Sequence, residues 1–491
     1  MKMRITNFLV ALFFLFSVVL DLRAQIPQVS TEGSDIWYYI QCSPRNPDMP
    51  NAKWLTGAPD AGELTVANFT QTDAQRWKVV VSGSGFALVN KANGTYMNTD
   101  QVWSGAVATS LLYASTALPA TPVKFVPSLL LTNGVNIVDV NTTVAANNTI
   151  DAATMKFSFY SAGSSIFKPI SYNGINIHSS VKFMQDKDFL REAIELVSTT
   201  LDNSSEGNNP GQFNSESITG MREALEAAQA IYDDPATTIA EFHAQAAELL
   251  EIFEGFKSQV ILPELSTSTS ENWYFIQGTR PANTYMTSLG AGGKVRDAAV
   301  IPDDTQLWKL IGNPSGGFSL QNKATGEYIN TDVESGALGV EFVTQSNMPQ
   351  NGLRFITSTF ITNKSIRFWI ENEVGSTPVL RFHAGGSGNS WNAMNWTGNK
   401  DDNCTWLFMS YTEAIRANFV AVRNEARAYL NSSVRGSIIG QYAADVYDAF
   451  KTVIETAEAL VVDDMTEQEC IDAVEMIKAA KDAFVCNTDI A

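Results

Sequence analysis

The sequence predicts a multidomain β and α protein in which two β-rich domains alternate with two helical domains. Two observations lead to this fold class. The chain repeats itself at an almost constant offset, and each repeat changes from a strand-like to a helix-like pattern partway along. With 491 residues the chain is also long enough for about three or four domains of ordinary size.

The first 24 residues are typical of a secretory signal peptide. Lys2 and Arg4 give a positively charged start, residues 8–20 form an apolar or small-residue run, and Ala24 places a small residue at the cleavage point. The run is too short to span a bilayer as a helix, and no later segment is long or apolar enough to be a transmembrane segment. We therefore expect a secreted protein, which includes an extracellular, cell-surface or periplasmic location.

The repeat is clearest in two pairs of segments. Residues 90–100 (NKANGTYMNTD) return as residues 322–332 (NKATGEYINTD), and residues 37–41 (WYYIQ) return as residues 273–277 (WYFIQ). The matches in this part of the chain keep offsets between 231 and 236 residues. Chance does not sustain one offset over so much sequence, so we interpret the chain as a tandem duplication.

The first part of each copy has the pattern of many short strands. Residues 35–184 and 271–410 are rich in Val, Thr, Phe and Tyr, and turns such as Asn-Gly and Ser-Gly divide them.

The second part of each copy is predicted to be helical. Residues 186–262 and 412–487 place apolar side chains three and four apart, which indicates about three helices in each. Thr238 and Thr466 each precede a Glu by three residues and so predict capping boxes at helix starts. Residues 263–270, a proline followed by a Ser/Thr run, form the linker between the copies.

A threefold pattern divides each β-rich part. An apolar–basic–apolar triplet ends each third, and only the last triplet of the second copy has lost its basic residue. Three lobes of about 45–55 residues predict a β-trefoil, a threefold barrel of hairpins, so the two β-trefoil domains would alternate with two three-helix bundles. The triplets are residues 77–79, 123–125, 181–183, 308–310, 353–355 and 406–408.

Residues 75–77 (QRW) and 306–308 (QLW) match the QxW signature. The β-rich parts therefore resemble ricin-type β-trefoil lectin domains. The helical parts are similar to the small three-helix modules attached to secreted bacterial glycan-processing proteins. The resemblance implies carbohydrate binding, with the Gln and Trp of the signature in the core of each domain.

This chain has other residues at the positions that commonly bind sugar in that family. Where the family commonly has an Asn before the signature, this chain has Ala74 and Thr305. Where the family has a stacking aromatic residue, the chain has Thr65 and Arg296. A sugar site must therefore be sought elsewhere.

The best candidate is a loop predicted at residues 384–399, where two Trp residues stand among Asn, Ser and Gly. The first copy is about 20 residues shorter here, so the loop distinguishes the copies. Trp391 or Trp396 would provide an aromatic platform. The alternative is that one Trp closes the barrel and the other is a surface contact. The hydrogen-bonding groups would be Asn392, Asn395 and His383.

Charge and motif content exclude several function classes. The net charge of −19 repels nucleic acids and sulfated polysaccharides, which bind clustered Lys and Arg, and favours neutral or weakly charged glycans. The four cysteines lack metal-ligand spacing, and residues 401–403 are interpreted as a polar turn and not as a calcium site. The sequence thus predicts neither a metal nor a cofactor.

Catalysis is not predicted either. Of the three histidines, none accompanies a nucleophile elbow or an HExxH motif. His178 and His383 occupy corresponding places in the two copies, which favours a shared structural hydrogen bond. The duplication leaves no room for a separate catalytic domain. We expect a non-catalytic glycan-binding protein, with other exported glycan-processing proteins as candidate partners. The alternative is a structural or adhesive protein whose modules contact other proteins without binding sugar.

Overall fold

A computed structural model gives the fold. The predicted signal peptide at residues 1–24 lies outside the described residues. The structure describes residues 26–42, 53–100, 110–131, 133–150, 156–161, 167–172, 179–279, 284–300, 303–332, 339–362, 364–372, 380–387, 390–397 and 401–488.

The chain forms two compact units. The first ends at Ile194 and also takes in Ala228–Glu248, and the second consists of Glu195–Ala227 and the chain from Leu249 onward. Each unit contains one large β-sheet, and helices follow each sheet in the sequence. The protein is therefore a mixed β and α protein.

The sheet of the first unit has thirteen described strands, which pair antiparallel in the order β3-β2-β1-β4-β5-β9-β10-β11-β12-β7. Strand β13 pairs with both β1 and β10, so the last strand lies beside the first. The strands are β1 (Tyr38–Cys42), β2 (Lys53–Thr56), β3 (Thr65–Ala67), β4 (Arg76–Ser82), β5 (Gly85–Asn90), β6 (Tyr96–Met97), β7 (Ser110–Leu111), β8 (Ala114–Ser115), β9 (Val123–Pro127), β10 (Val135–Asp139), β11 (Lys156–Ser161), β12 (Phe167–Tyr172) and β13 (Ser180–Met184).

The sheet of the second unit has fourteen described strands. Its last strand again pairs with an early one, because β27 lies beside β15 and β24. The strands are β14 (Leu265–Ser266), β15 (Trp273–Gln277), β16 (Thr284–Ser288), β17 (Val295–Ala299), β18 (Leu307–Gly312), β19 (Phe318–Asn322), β20 (Tyr328–Ile329), β21 (Val340–Glu341), β22 (Thr344–Gln345), β23 (Leu353–Thr362), β24 (Ser365–Asn372), β25 (Arg381–Ser387), β26 (Ser390–Trp396) and β27 (Thr405–Met409).

Alternation along the strands builds the cores. In β4, Trp77 and Val79 are buried while Lys78 between them is only partly covered, as the two faces of a strand require. Trp77 and Val79 join one apolar cluster with residues of β1, β5, β10 and β13.

One contact recurs in both sheets. The indole Nε1 of each of three fully buried tryptophans donates to a backbone carbonyl 22 to 24 residues earlier. Because a buried N–H without an acceptor is costly, this bond fixes the hairpin that carries the carbonyl. The pairs are Trp77 with Leu55 (3.1 Å), Trp308 with Met286 (2.7 Å) and Trp406 with Phe382 (3.4 Å).

Six described helices follow the sheets. Both predicted capping boxes are confirmed, since Thr238 and Thr466 exchange hydrogen bonds with Glu241 and Glu469. Helices α4, α5 and α6 pack against one another around a shared apolar core. The helices are α1 (Asp186–Asp202), α2 (Ser215–Asp233), α3 (Ile239–Ser258), α4 (Tyr411–Ser432), α5 (Ala444–Glu458) and α6 (Glu467–Ala483).

None of the helices in the described ranges combines the length and the apolar character that crossing a membrane requires.

Candidate functional site

The segment predicted as a binding loop is a β-hairpin. Strands β25 and β26 pair from Arg381 opposite Trp396 to Ser387 opposite Ser390. The loop prediction was wrong because it followed composition, which is rich in Gly, Asn and Ser, and overlooked a period of two. Phe382 and Ala384 on β25 are both fully buried, as the core face of a strand requires.

The hairpin separates the predicted site residues onto two faces. Opposite residues of an antiparallel pair share a face. Asn395 lies opposite Phe382 and is fully buried on the core side. The other side, which we call the His383 face, is formed by His383, Asn392, Met394 and Trp396.

His383 and Trp396 form the aromatic part of this face. Their ring centroids are 4.6 Å apart and their planes differ by 23°, so the rings are stacked. Trp396 remains partly exposed, whereas His383 is 9% exposed. The backbone of Trp391 pairs with Gly386 and Asp297, and its side chain lies outside the described residues.

Two residues that the sequence analysis missed complete the polar part of the face. Asn392 Nδ2 donates to Glu341 Oε1 at 2.6 Å, and Glu341 also pairs with Lys294. Strand β21, which carries Glu341, lies beside β26. No local pattern marks Glu341 or Lys294, because they join the hairpin only through the pairing of distant strands.

Burial favours the neutral form of the His383 ring. Burial lowers its pKa below the ordinary value, and the negative charges of Asp401 and Asp402 only partly oppose this. A neutral imidazole has one donor and one acceptor nitrogen. His383 Nδ1 has no hydrogen-bond partner among the described residues, and neither does Asn392 Oδ1.

Beside His383 lies a turn with two further polar side chains. The 3-10 turn Asp402–Cys404 is closed by a hydrogen bond from the Cys404 N–H to the Asp401 carbonyl, 3.3 Å long. Asp401 Oδ1 lies 3.8 Å from His383 Nε2. Burial raises the pKa of the Cys404 thiol to about 12, so this thiol is not an activated nucleophile.

Two buried ionisable residues distinguish this sheet from the first. Asp297 is 6% exposed and Arg367 is 1% exposed. Burial raises the pKa of Asp297 to about 7, against the opposing effect of the Arg367 charge. Arg367 donates to the Thr405 carbonyl at 3.0 Å, and burial lowers its pKa to about 9.

Strand registers identify the corresponding positions in the first sheet. Asp297 and Val66 are equivalent positions. Asp297 pairs with Met286 and Val66 pairs with Leu55, and the carbonyls of Met286 and Leu55 both accept the tryptophan hydrogen bond described above. Arg367 and Gly134 are also equivalent positions. Each comes directly before the residue that pairs with the first residue of the last triplet, and these pairs are Phe368 with Trp406 and Val135 with Val181. The second sheet therefore carries two ionisable residues, Asp297 and Arg367, where the first has Val66 and Gly134.

A cavity of about 670 Å³ lies elsewhere in the second unit. It is bounded by Asn209, Leu407 and residues of α4, and Asn209 donates to Glu413 there. Phe408, the aromatic residue of its lining, is buried. The cavity thus offers a ligand no exposed ring, and we place the candidate site at the His383 face.

Comparisons with known proteins do not assign the chain to a family. No model of a known protein family matches the sequence, and no curated protein is significantly similar to it.

Solved structures similar to parts of the chain include ricin B-like lectins. The Macrolepiota procera ricin B-like lectin, in complex with lactose, is 13% identical at a TM-score of 0.23, over 30% of this chain and 99% of its own. The Rhizoctonia solani agglutinin is 18% identical at a TM-score of 0.24, over 30% and 99%. A mosquitocidal holotoxin is 9% identical at a TM-score of 0.23 over 76% of this chain. The chain spans 34% of the holotoxin's length.

Proposed function

We propose that the chain is a secreted, non-catalytic carbohydrate-binding protein built as a tandem duplication. Each copy would consist of a β-trefoil domain followed by a three-helix bundle. The recurring tryptophan bond supports this layout, because it ties each of three hairpins at a similar sequence separation. The QxW resemblance of both copies points the same way.

The observation that carries the binding role is the His383 face. A sugar presents a patch of C–H groups that packs on a flat aromatic ring, and hydroxyls that need amide and carboxylate partners. Trp396, partly exposed and stacked on His383, supplies the ring. Asn392 and Glu341 supply amide and carboxylate groups beside it.

Charge narrows the class of glycan. The chain carries a net charge of −19, which opposes anionic polysaccharides. We infer a neutral or weakly charged glycan as the partner. Other exported glycan-processing proteins, which would act on the captured polymer, are candidate partners.

A glycan array and polysaccharide-retardation gels with the mature chain test the proposal. Trp396→Ala removes the ring, and we expect at least a tenfold loss of affinity, equivalent to about 1.4 kcal/mol. Trp37→Ala is the matched control. Trp37 is also partly exposed, lies in the first unit, and contacts Lys78 and Lys91. Its removal should leave the affinity within about twofold.

Two results would count against the proposal. Equal affinity of the Trp396→Ala protein and the parent would remove the His383 face as the sugar site. A blank screen with folded protein would instead favour the structural or adhesive alternative, which the residues Ala74, Thr305, Thr65 and Arg296 at the usual family positions already support.

A further inference from the structure

Three side chains of different chemistry meet at the edge of the His383 face. His383, Asp401 and Cys404 each offer one ligand atom, and these atoms lie within 4.8 Å of one another. His383 Nε2 and Asp401 Oδ1 are 3.8 Å apart. Zinc bonds of about 2.0–2.3 Å in tetrahedral geometry place neighbouring ligands about 3.3–3.8 Å apart, so small side-chain rotations suffice.

We propose that His383, Asp401 and Cys404 bind one transition-metal ion of the zinc class. The sequence analysis expected no metal because Cys404 has no partner at a recognised spacing. The fold supplies that partner by placing β25 beside the turn at 402–404. The proposal does not depend on sugar binding.

The donor set selects the class of ion. Imidazole and thiolate are borderline and soft ligands, which suit Zn²⁺ and Co²⁺ and not the oxygen-preferring Ca²⁺ or Mg²⁺. Three protein ligands leave a fourth position open for water. Asp401, whose side chain is 44% exposed, places that opening toward solvent.

The surroundings hold the ligands in place before the ion binds. The hydrogen bond from the Cys404 N–H to the Asp401 carbonyl closes the turn and so brings these two residues together on one side of it. The Asp402 carbonyl accepts from Thr279 and Thr405 at 2.9 and 2.7 Å, which anchors the turn to the sheet. Stacking on Trp396 fixes the imidazole plane. Such outer contacts are what orients metal ligands in proteins.

Two features point to a ligand and not to simple packing. His383 is nine-tenths buried, and the 3.8 Å between its Nε2 and Asp401 Oδ1 is too long for a hydrogen bond, so Asp401 Oδ1 has no hydrogen-bond partner among the described residues. Buried polar atoms in folded proteins are normally satisfied by a partner. Cys404 is 0% exposed, which disfavours the alternative of a cysteine nucleophile, since a substrate could not reach it.

The site belongs to one sheet only. In the first sheet, the residue two before Val181 is Ser179, which stands where Cys404 stands two before Trp406. A serine there removes the soft ligand. We therefore expect one bound ion per chain.

The test uses the mature chain without an affinity tag, kept reduced and titrated with Co²⁺ as a spectroscopic substitute for Zn²⁺. We expect one Co²⁺ per chain, with a thiolate-to-cobalt charge-transfer band. Cys404→Ser should abolish the band, and His383→Gln should weaken binding at least 100-fold. Cys486→Ser is the matched control, because this partly exposed thiol is not one of the three clustered ligands. It should leave binding unchanged.

Asp401→Asn keeps the test decisive if a buried variant fails to fold. Its side chain is partly exposed, and loss of the carboxylate should weaken Co²⁺ binding at least tenfold in a folded protein. Unchanged affinity in this variant, a band that survives in Cys404→Ser, or no stoichiometric binding by the folded parent would each overturn the proposal. Glycan retardation of the metal-free protein, measured in parallel, reports on sugar binding separately.

Discussion

The buried carboxyl group of Asp297 should make the stability of the second unit depend on pH in an unusual direction. Asp297→Asn keeps the shape of the side chain and removes its titration. The folded protein holds the pKa of this group at about 7, against an ordinary value of 3.8. Because the folded pKa is raised, the stabilising contribution is complete below the ordinary value and is lost as the pH rises through about 7.

The size of the effect follows from these two values. Between about pH 5 and pH 8, the wild-type protein should lose about 2–3 kcal/mol of unfolding free energy through this one group. The Asn variant should not lose it. The stability of the variant relative to the wild type should therefore rise by that amount as the pH rises. This corresponds to roughly 5–10 °C in Tm for a unit of this size.

Thermal unfolding by circular dichroism across this pH range measures the difference. Glu475→Gln, an exposed change on α6, serves as the control and should shift little with pH. A variant-to-wild-type difference that stays constant would refute the reasoning. A difference that shrinks as the pH rises would show that Asp297 is ionised in the fold and stabilised by Arg367.

Two further predictions concern a helix cap and a glycine that lies close to a neighbouring strand. Thr466→Ala should cost about 1 kcal/mol in denaturant unfolding by removing the capping box of α6, whereas Thr456→Ala, exposed within α5, should cost nothing. Gly211 and Gly440 both have a positive φ, of 84° and 81°. A Cβ added to Gly211 would lie 2.4 Å from the Ile366 carbonyl oxygen, whereas a Cβ added to Gly440 would meet no atom within 4 Å. Gly211→Ala should therefore destabilise the protein by about 1–3 kcal/mol more than Gly440→Ala, and equal effects in unfolding experiments would contradict the close approach.

Local patterns in the sequence predicted local features of the structure. The capping boxes at Thr238 and Thr466 were visible because a capping box involves residues only three apart. The burial of Trp77 and Trp308 followed from the QxW resemblance and is observed. The mixture of β and α structure followed from the change of period.

The hairpin at residues 381–396 was missed for a physical reason. Its turn-forming composition concealed the alternation of Phe382 and Ala384 with His383. In a long hairpin, alternate residues of each strand point to opposite faces, so the register determines which side chains meet. Asn395 lies opposite Phe382 and therefore points into the core. The contacts of Glu341 and Cys404 with the hairpin depend on pairing between distant strands, which no local pattern encodes.

Under the proposed duplication, the buried Arg367 would affect which strands can pair during folding. Exchange of strands between neighbouring repeats is a characteristic failure of such chains during folding. A hybrid sheet that received the strand with Gly134 in place of the one with Arg367 would leave the buried Gln277 and Thr405 carbonyls without the guanidinium that donates to them. A buried acceptor that loses its donor costs about 1–3 kcal/mol. We expect this cost to disfavour the exchange of that strand between the two halves.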